Sequence, residues 1–370
     1  MTQKNETLTL AASFLVTVGI LGGGLWWLLG RDNSQVSQTQ PDPTQTQPDP
    51  TPTQPDPTPT QPDPTQTQGD ASQSGQDFAS VTTVPSGLFN YGGSTTWAPI
   101  RGEVDPELQQ VHPSFRLRYT NPPVGTPGSG SGIEMLLDGQ LAFAQSSRPL
   151  NDEEYQKGQT RGYRLEQIPV ALDGIAIAVN HDLKVSGLTL EQLQGIYKGQ
   201  ITNWQELGGP NLEIIPYSRK LEDGGTVEFF QNNVLGGEEF GSNVQSIDTT
   251  TLALREVSAN QGAIYYASAP EVVPQCSVKT LPLSRTGEPL IPPYEGDSPV
   301  SQEVCENQGI RDELNASAFQ TANYPITRTL FVIVKQDGSM DQQAGEAYAG
   351  LLLTEEGQNL IEEAGFVRIR

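Results

Sequence analysis

Four copies of Gln-Pro-Asp-Pro, beginning at Gln40, Gln47, Gln54 and Gln61, recur with a period of seven residues. Proline removes an amide donor and blocks continuous helix, and the apolar a and d positions of a coiled coil are missing, so the spacing supports no packed element. Such composition favours extended polyproline II at about 3.1 Å per residue. A disordered spacer over residues 33–83 is therefore expected, able to separate its ends by on the order of 90 Å. Before it, Thr7–Gly30 (TLTLAASFLVTVGILGGGLWWLLG) carries no charge. A hydrocarbon core of about 30 Å takes about 20 helical residues, and Trp26 and Trp27 stand near the far end, where aromatic rings favour the interface. A transmembrane anchor over 1–32 is expected, with a cleaved signal peptide as the alternative. Any globular fold must come from the rest of the chain.

In that rest, short β-like runs alternate with helical patterns, which argues an α/β architecture. Asp173–Val179 (DGIAIAV) and Leu330–Val334 (LFVIV) read as buried strands. Thr189-Leu-Glu-Gln192 forms a capping box ahead of Leu190, Leu193 and Ile196. Thr354 caps a final helix with Leu360 and Ile361 turned inward, and Gly365 is placed to end it.

Three Gly/Ser/Thr-rich turns, each joining a strand to a helix, carry the functional information. They are Tyr91–Pro99 (YGGSTTWAP), Gly125–Gly132 (GTPGSGSG) and Asp223–Thr226 (DGGT). The first amides of a helix lack internal partners and bear partial positive charge. Glycine admits close backbone approach, and hydroxyls add donors. Three such ends converging would surround an oxoanion with neutral dipoles. Arg148 and Arg219 lie beside the turns and could grip an oxoanion in bidentate fashion or form structural ion pairs.

Charge limits the alternatives. With 44 acidic and 21 basic residues, the formal charge is −23. No basic run is present, so a nucleic-acid partner, which needs a cationic face, is not expected. Long-range attraction cannot recruit an anion, and the site must rely on local fixed groups. Enzymatic motifs fail in detail. Gly125–Ser131 begins like a phosphate-binding loop, but Ser131 stands where lysine is required. Gly128–Gly132 has glycine at the centre and is no nucleophile elbow. Two histidines and two cysteines cannot assemble a zinc site of the usual spacing. Cys276 and Cys305 are two separate thiols or one disulfide. The extracytoplasmic character of the chain favours the disulfide.

Five segments, YGGSTTWAP, GSGSGIEMLLDGQLAFAQSSRPL, LTLEQLQGIYKGQITNWQELGG, SRKLEDGGTVEFF and YPITRTLFVIVK, occur in one order. Together they resemble the phosphate-binding component of high-affinity phosphate ABC transporters, a periplasmic-binding-protein family, over residues 84–370. The resemblance implies a two-lobed α/β periplasmic-binding-protein fold (type II) with two crossover strands, here preceded by a transmembrane helix and a disordered linker. Lobe one would hold 84–168 and 327–370, and lobe two 169–326. It also implies a monomer facing the periplasm or the extracellular side, inorganic phosphate as ligand, membrane permease subunits as partners, no cofactor and no catalysis. A membrane-tethered oxoanion sensor, or a binding protein for another oxoanion such as sulfate, is the alternative.

Position by position, the resemblance assigns Thr95 and Thr96 to the first ligand turn, Ser129 to the second helix start, and Arg219, Gly225 and Thr226 to the third motif. Ser147 stands where the family carries an aspartate that accepts the ligand's proton, so rejection of sulfate is weakened. Gly224 replaces a serine and removes a hydroxyl donor. One extra residue separates Arg219 from Gly225, which displaces the arginine relative to the motif.

Overall fold

The computed structural model describes residues 77–220 and 225–369. The expected anchor over 1–32 and most of the expected spacer lie outside the described residues. Among the described residues, no helix is long and apolar enough to cross a membrane. The expected end of the spacer at residue 83 needs correction, because the folded body begins earlier. Phe78 is fully buried, its amide donates to a Glu356 carboxylate oxygen at 2.6 Å, and its carbonyl accepts from His112 Nε2 at 2.8 Å. Removing one such ring from water contributes about 2 kcal/mol, a gain that the polar composition around it conceals.

Strands β1 (Gly87–Gly93), β2 (Phe115–Tyr119) and β3 (Phe143–Ser146) alternate with helices α1 (Ala98–Val111), α2 (Ser129–Leu137) and α3 (Asp152–Thr160). The long β4 (Arg164–Val179) follows. Beyond it come β5 (Leu188–Thr189), α4 (Leu190–Tyr197), β6 (Ile215–Ser218), α5 (Gly225–Asn233), β7 (Gln245–Ser246) and α6 (Thr250–Ala259). Then come β8 (Ala263–Ser268), α7 (Ala269–Val272), β9 (Lys279–Leu281), β10 (Leu283–Ser284), α8 (Gln302–Gln308) and α9 (Ala316–Gln320). The chain closes through β11 (Thr327–Gln336), α10 (Met340–Leu352) and α11 (Glu355–Glu363).

The main sheet runs β2-β1-β3-β11-β4-β8-β6-β7, with β9 also on β4. Helical crossovers make β1 parallel to β2 and β3, and make β6 parallel to β7 and β8. At the middle, β4 and β11 pair antiparallel from Thr327↔Gly174 to Gln336↔Arg164, and Ile175–Val179 of β4 continues onto β8. Both strands outrun the apolar segments that reveal them in the sequence. Arg164–Pro169 is exposed or half-buried apart from Leu165, whereas Ile175–Val179 is buried throughout. A covered strand reads as a continuous apolar run and a half-covered one as alternation.

The apolar interior gathers around two centres. The first includes Trp97, Phe115, Phe143, Val170, Ala171, Leu330, Val332 and Tyr348, with Ile133, Leu136 and Leu141 in an adjoining cluster. The second includes Ile175, Ile177, Tyr197, Phe230, Tyr266, Phe319 and Ile326. Each long strand therefore passes from one core to the other, β4 between Ala171 and Ile175 and β11 near its start. Cys276 and Cys305 form a disulfide, 29 residues apart in sequence. Closing a loop of that size stabilises by roughly 3 kcal/mol in the chain-entropy model. Both expected helix caps are present: Thr189 and Gln192 bond reciprocally, and Thr354 Oγ1 accepts from the Gly357 amide at 3.0 Å. Gly365 follows the last helix at φ 85°, a conformation glycine adopts without strain.

A buried polar network underlies the turn after β1. Asp105 of α1 accepts from the hydroxyls of Tyr91 and Tyr348, the latter at 2.9 Å. Gln145 donates to Tyr348 Oη at 3.1 Å and accepts from Arg101 at 2.9 Å. Burial raises the Asp105 pKa above its ordinary 3.8, with the two tyrosine hydrogen bonds and the Arg101 charge opposing. The folded state thus holds this proton more tightly than the unfolded chain, so its contribution to stability is present at low pH. It is lost as pH rises from about 4 through the raised value. Asp105→Asn should abolish this slope. The difference in melting temperature, variant minus wild type, is expected to grow as pH rises from about 4 towards neutral. A calorimetric series giving parallel curves would refute the assignment.

Candidate functional site

The first two turns and the start of α5 converge where the cores meet. β1 ends at Gly93, whose φ of 121° suits glycine and whose ideal Cβ would lie 2.2 Å from the Gln145 carbonyl oxygen. Helix α2 crosses this point so closely that a Cβ on Gly132 would stand 2.4 Å from Gly93 Cα. The two glycines let the first turn and the α2 start approach each other. Backbone bonds then fix Ser94: its amide donates to Gln145 O at 2.8 Å, and its carbonyl accepts from Arg101 at 3.3 Å. Tyr119 Oη holds the Gly93 carbonyl at 3.0 Å. The polar network behind the turn therefore aims its hydroxyl.

Ser94, Ser129 and Ser147 are each fully buried, and their hydroxyls form one cluster. Ser94 Oγ donates to Ser147 Oγ at 3.0 Å, and the Ser129 and Ser147 oxygens lie 3.2 Å apart. Ser129 Oγ also accepts from the Ser147 amide at 3.0 Å. Opposite them, from the second core, comes the start of α5. An ideal Cβ on Gly225 would lie 2.7 Å from Ser147 Oγ, 3.2 Å from Ser129 Oγ and 3.7 Å from Ser94 Oγ. Thr96 and Thr226 face each other at 3.4 Å across the same boundary.

Of the residues singled out by sequence, the fold thus brings together Thr96, Ser129, Ser147, Gly225 and Thr226. Thr95 sits in the same 3-10 turn, partly exposed, and makes no hydrogen bond to the serine cluster. Gly224 lies outside the described residues. Arg219 follows β6, where its charge bears on Tyr265, Tyr266 and Glu271. Although Glu271 keeps exposed surface, the protein packed around its carboxyl raises its pKa. Desolvation dominates, Asp173 adds to it, and Arg219 and Arg328 oppose it. Arg148 joins the cores from the first side: it grips Glu154 of α3 through two nitrogens and Glu228 of α5 at 2.9 Å. Its structural-pair reading is the one these contacts fit.

Sequence reasoning missed Ser94, Asp173 and Arg328. Arg328 Nη2 donates to Thr96 Oγ1 and Thr226 Oγ1, each at 3.1 Å, so this guanidinium and not Arg219 adjoins the two threonines. Asp173 accepts from Arg328 Nε at 2.8 Å and from Ser268 Oγ at 2.7 Å. One signal was available. Arg328 and Asp173 are opposite charges set at the margins of the two apolar runs that read as buried strands, and burial there demands a partner.

Among the described residues, hydroxyl donors, helix starts and the Arg328 guanidinium compensated by Asp173 stand around this point. Such groups suit an anion with several acceptor oxygens. Among the described residues no group of His, Cys, Asp or Glu side chains could hold a metal ion.

The PBP superfamily domain model matches residues 58–356. The chain belongs to this superfamily. Among relatives of this PBP superfamily chain is the phosphate-binding protein PstS of Staphylococcus aureus, 25% identical over 278 residues, covering 74% of this chain and 76% of that one. An ABC-type phosphate transport receptor from Vibrio cholerae superposes with a TM-score of 0.59 at 25% identity, covering 75% of this chain and 99% of that one. A provisionally assigned phosphate ABC transporter substrate-binding protein from Clostridium perfringens, solved with bound phosphate, gives 0.58 at 25% identity, with coverage of 77% and 100%. The mixed α/β periplasmic-binding-protein architecture is shared with both solved structures.

Gly225 offers a direct test of how closely the halves must approach. Gly225→Ala inserts a methyl group against three hydroxyls, and overpacking of this kind costs about 1–3 kcal/mol. The variant should keep its melting temperature within a few degrees yet bind its anion about tenfold or more weakly. Unchanged affinity by titration calorimetry would show that α5 does not close onto the serines.

Proposed function

We propose that this protein captures inorganic phosphate between two lobes and delivers it to an ABC-type importer. The observation that carries this reading is the convergence of Ser94, Thr96, Ser129, Ser147 and Thr226 hydroxyls, drawn from both cores, beside Arg328. Relatives named for phosphate binding support the choice of ligand. Lobe one would comprise the expected residues 84–168 and 327–370, extended back to the Phe78 segment, and lobe two residues 169–326. The serines are fully buried, so entry requires the lobes to part by bending within β4 and β11. The Arg148–Glu228 pair would break on opening and re-form on closure. Binding without catalysis fits donors that hold but do not attack. A monomer, tethered by residues 1–32 and held away from the membrane by the proline repeats, would reach its permease on the extracytoplasmic side.

Discrimination is the feature in which this cradle departs from the family pattern. Ser147 is a hydroxyl that donates or accepts, and both oxygens of Asp173 are already engaged. Among the described residues no carboxylate is left there to reject a fully deprotonated tetrahedral anion. Titration calorimetry of the full-length protein should give a phosphate Kd of about 1 μM or tighter. Sulfate and arsenate should compete measurably. Absence of both heat and thermal shift with phosphate would sink the phosphate reading. A sulfate affinity above that for phosphate would reassign the ligand.

A further inference from the structure

The Arg328–Asp173 pair has side chains 1% and 0% exposed. The two residues are register partners on β11 and β4, the strands shared by both cores. Taking two charges out of water costs several kcal/mol per ion, and a cross-strand pair seldom gains that back in stability. Its retention therefore asks for another role.

The geometry supplies one. Arg328 Nε and Nη2 both engage Asp173 Oδ2, at 2.8 and 2.7 Å, while Ser268 occupies Oδ1. This clamp fixes the plane of the guanidinium. Nη2 reaches Thr96 of the first turn and Thr226 of α5, and Nη1 has only a long 3.5 Å contact with the Gly225 carbonyl among the described residues. Arginine can only donate, so each threonine oxygen that meets it must accept, which leaves the threonine proton to point elsewhere. The ring of Phe229 flanks the guanidinium at 5.4 Å and keeps that side apolar.

Building on the reading of the cradle as an oxoanion site, we infer that Arg328 is its specificity-determining cation and that Asp173 is the residue that positions it. Arg328 meets the bound oxoanion through Nη1 and, because at most one threonine donates to the other across 3.4 Å, leaves at least one of the Thr96 and Thr226 protons for it. The ligand is thereby joined to both crossover strands at once, and its charge is read where the lobes hinge. The oxoanion class favoured is one carrying two negative charges, since a buried guanidinium gains most from the more highly charged partner.

The test uses full-length protein and titration calorimetry with phosphate, arsenate and sulfate. Arg328→Met alone would strand a buried carboxylate and could unfold the chain, so the Asp173→Asn, Arg328→Met double variant is the main probe. It should melt cooperatively and lose about 100-fold in phosphate affinity. The loss should be larger at about pH 8, where the phosphate dianion prevails, than at about pH 5. Arg328→Lys keeps the charge without the planar fork and should recover part of the affinity, and Asp173→Asn should fall between it and wild type. A double variant that binds within about threefold of wild type, or with the same loss at both pH values, overturns the inference. If the double variant does not fold, Arg328→Lys decides: wild-type affinity overturns the inference, and a loss of about tenfold at unchanged melting temperature supports it. Wild-type protein that binds none of the three anions is a different result, which removes the cradle reading and this inference with it.

Discussion

The antiparallel pairing of β4 with β11 is the constraint on which the other positions depend. Ten residue pairs' worth of ladder, from Thr327↔Gly174 to Gln336↔Arg164, passes between two apolar cores that otherwise pack separately. Because both strands change core within a few residues of Asp173 and Arg328, any side chain there faces the boundary between the halves. The serine turns approach that boundary from the first core and the start of α5 from the second. The cradle is thus a consequence of where the shared strands cross.

The chemistry of the cradle also resolves a tension in the composition. A chain with a formal charge of −23 repels anions at a distance. Repulsion of this kind is screened within about 10 Å at ordinary ionic strength, whereas hydroxyls and helix-start amides act at contact distance. A cradle of neutral donors with one guanidinium compensated by Asp173 can therefore hold an anion without a cationic surface. Proton placement among Ser94, Ser129 and Ser147 then adapts the cradle to the ligand that the guanidinium selects.

Much of this was legible along the chain because the relevant signals are local. A strand-to-helix turn rich in glycine and hydroxyls announces itself in a few residues, and so do the Thr189 and Thr354 caps and the apolar runs of β4 and β11. Ser129, Gly225 and Thr226 lie in such turns, whereas Ser147 came from the family resemblance. Phe78 was hidden, because one apolar residue after a polar tract shows no periodicity. The amphipathic front of β4 was missed because it includes Pro169 and alternates weakly. Arg219 drew attention as the arginine next to the third motif, yet Arg328, distant in sequence, is the one that meets Thr226.

By itself the sequence determined which segments could be strands, where helices start, and that the turns carry donors suited to an anion. These follow from backbone restrictions and short-range periodicity, which act between near neighbours. Only the tertiary structure decided that Arg328 adjoins Thr96 and Thr226, that Asp173 clamps it, that Gly225 must lack a side chain, and that Arg148 ties one half to the other. Those outcomes depend on residues as far apart as Thr96 and Arg328, brought within 3.1 Å by strand register and crossover topology. No local pattern encodes such a distance, because it is set by the packing of both cores against the two strands they share.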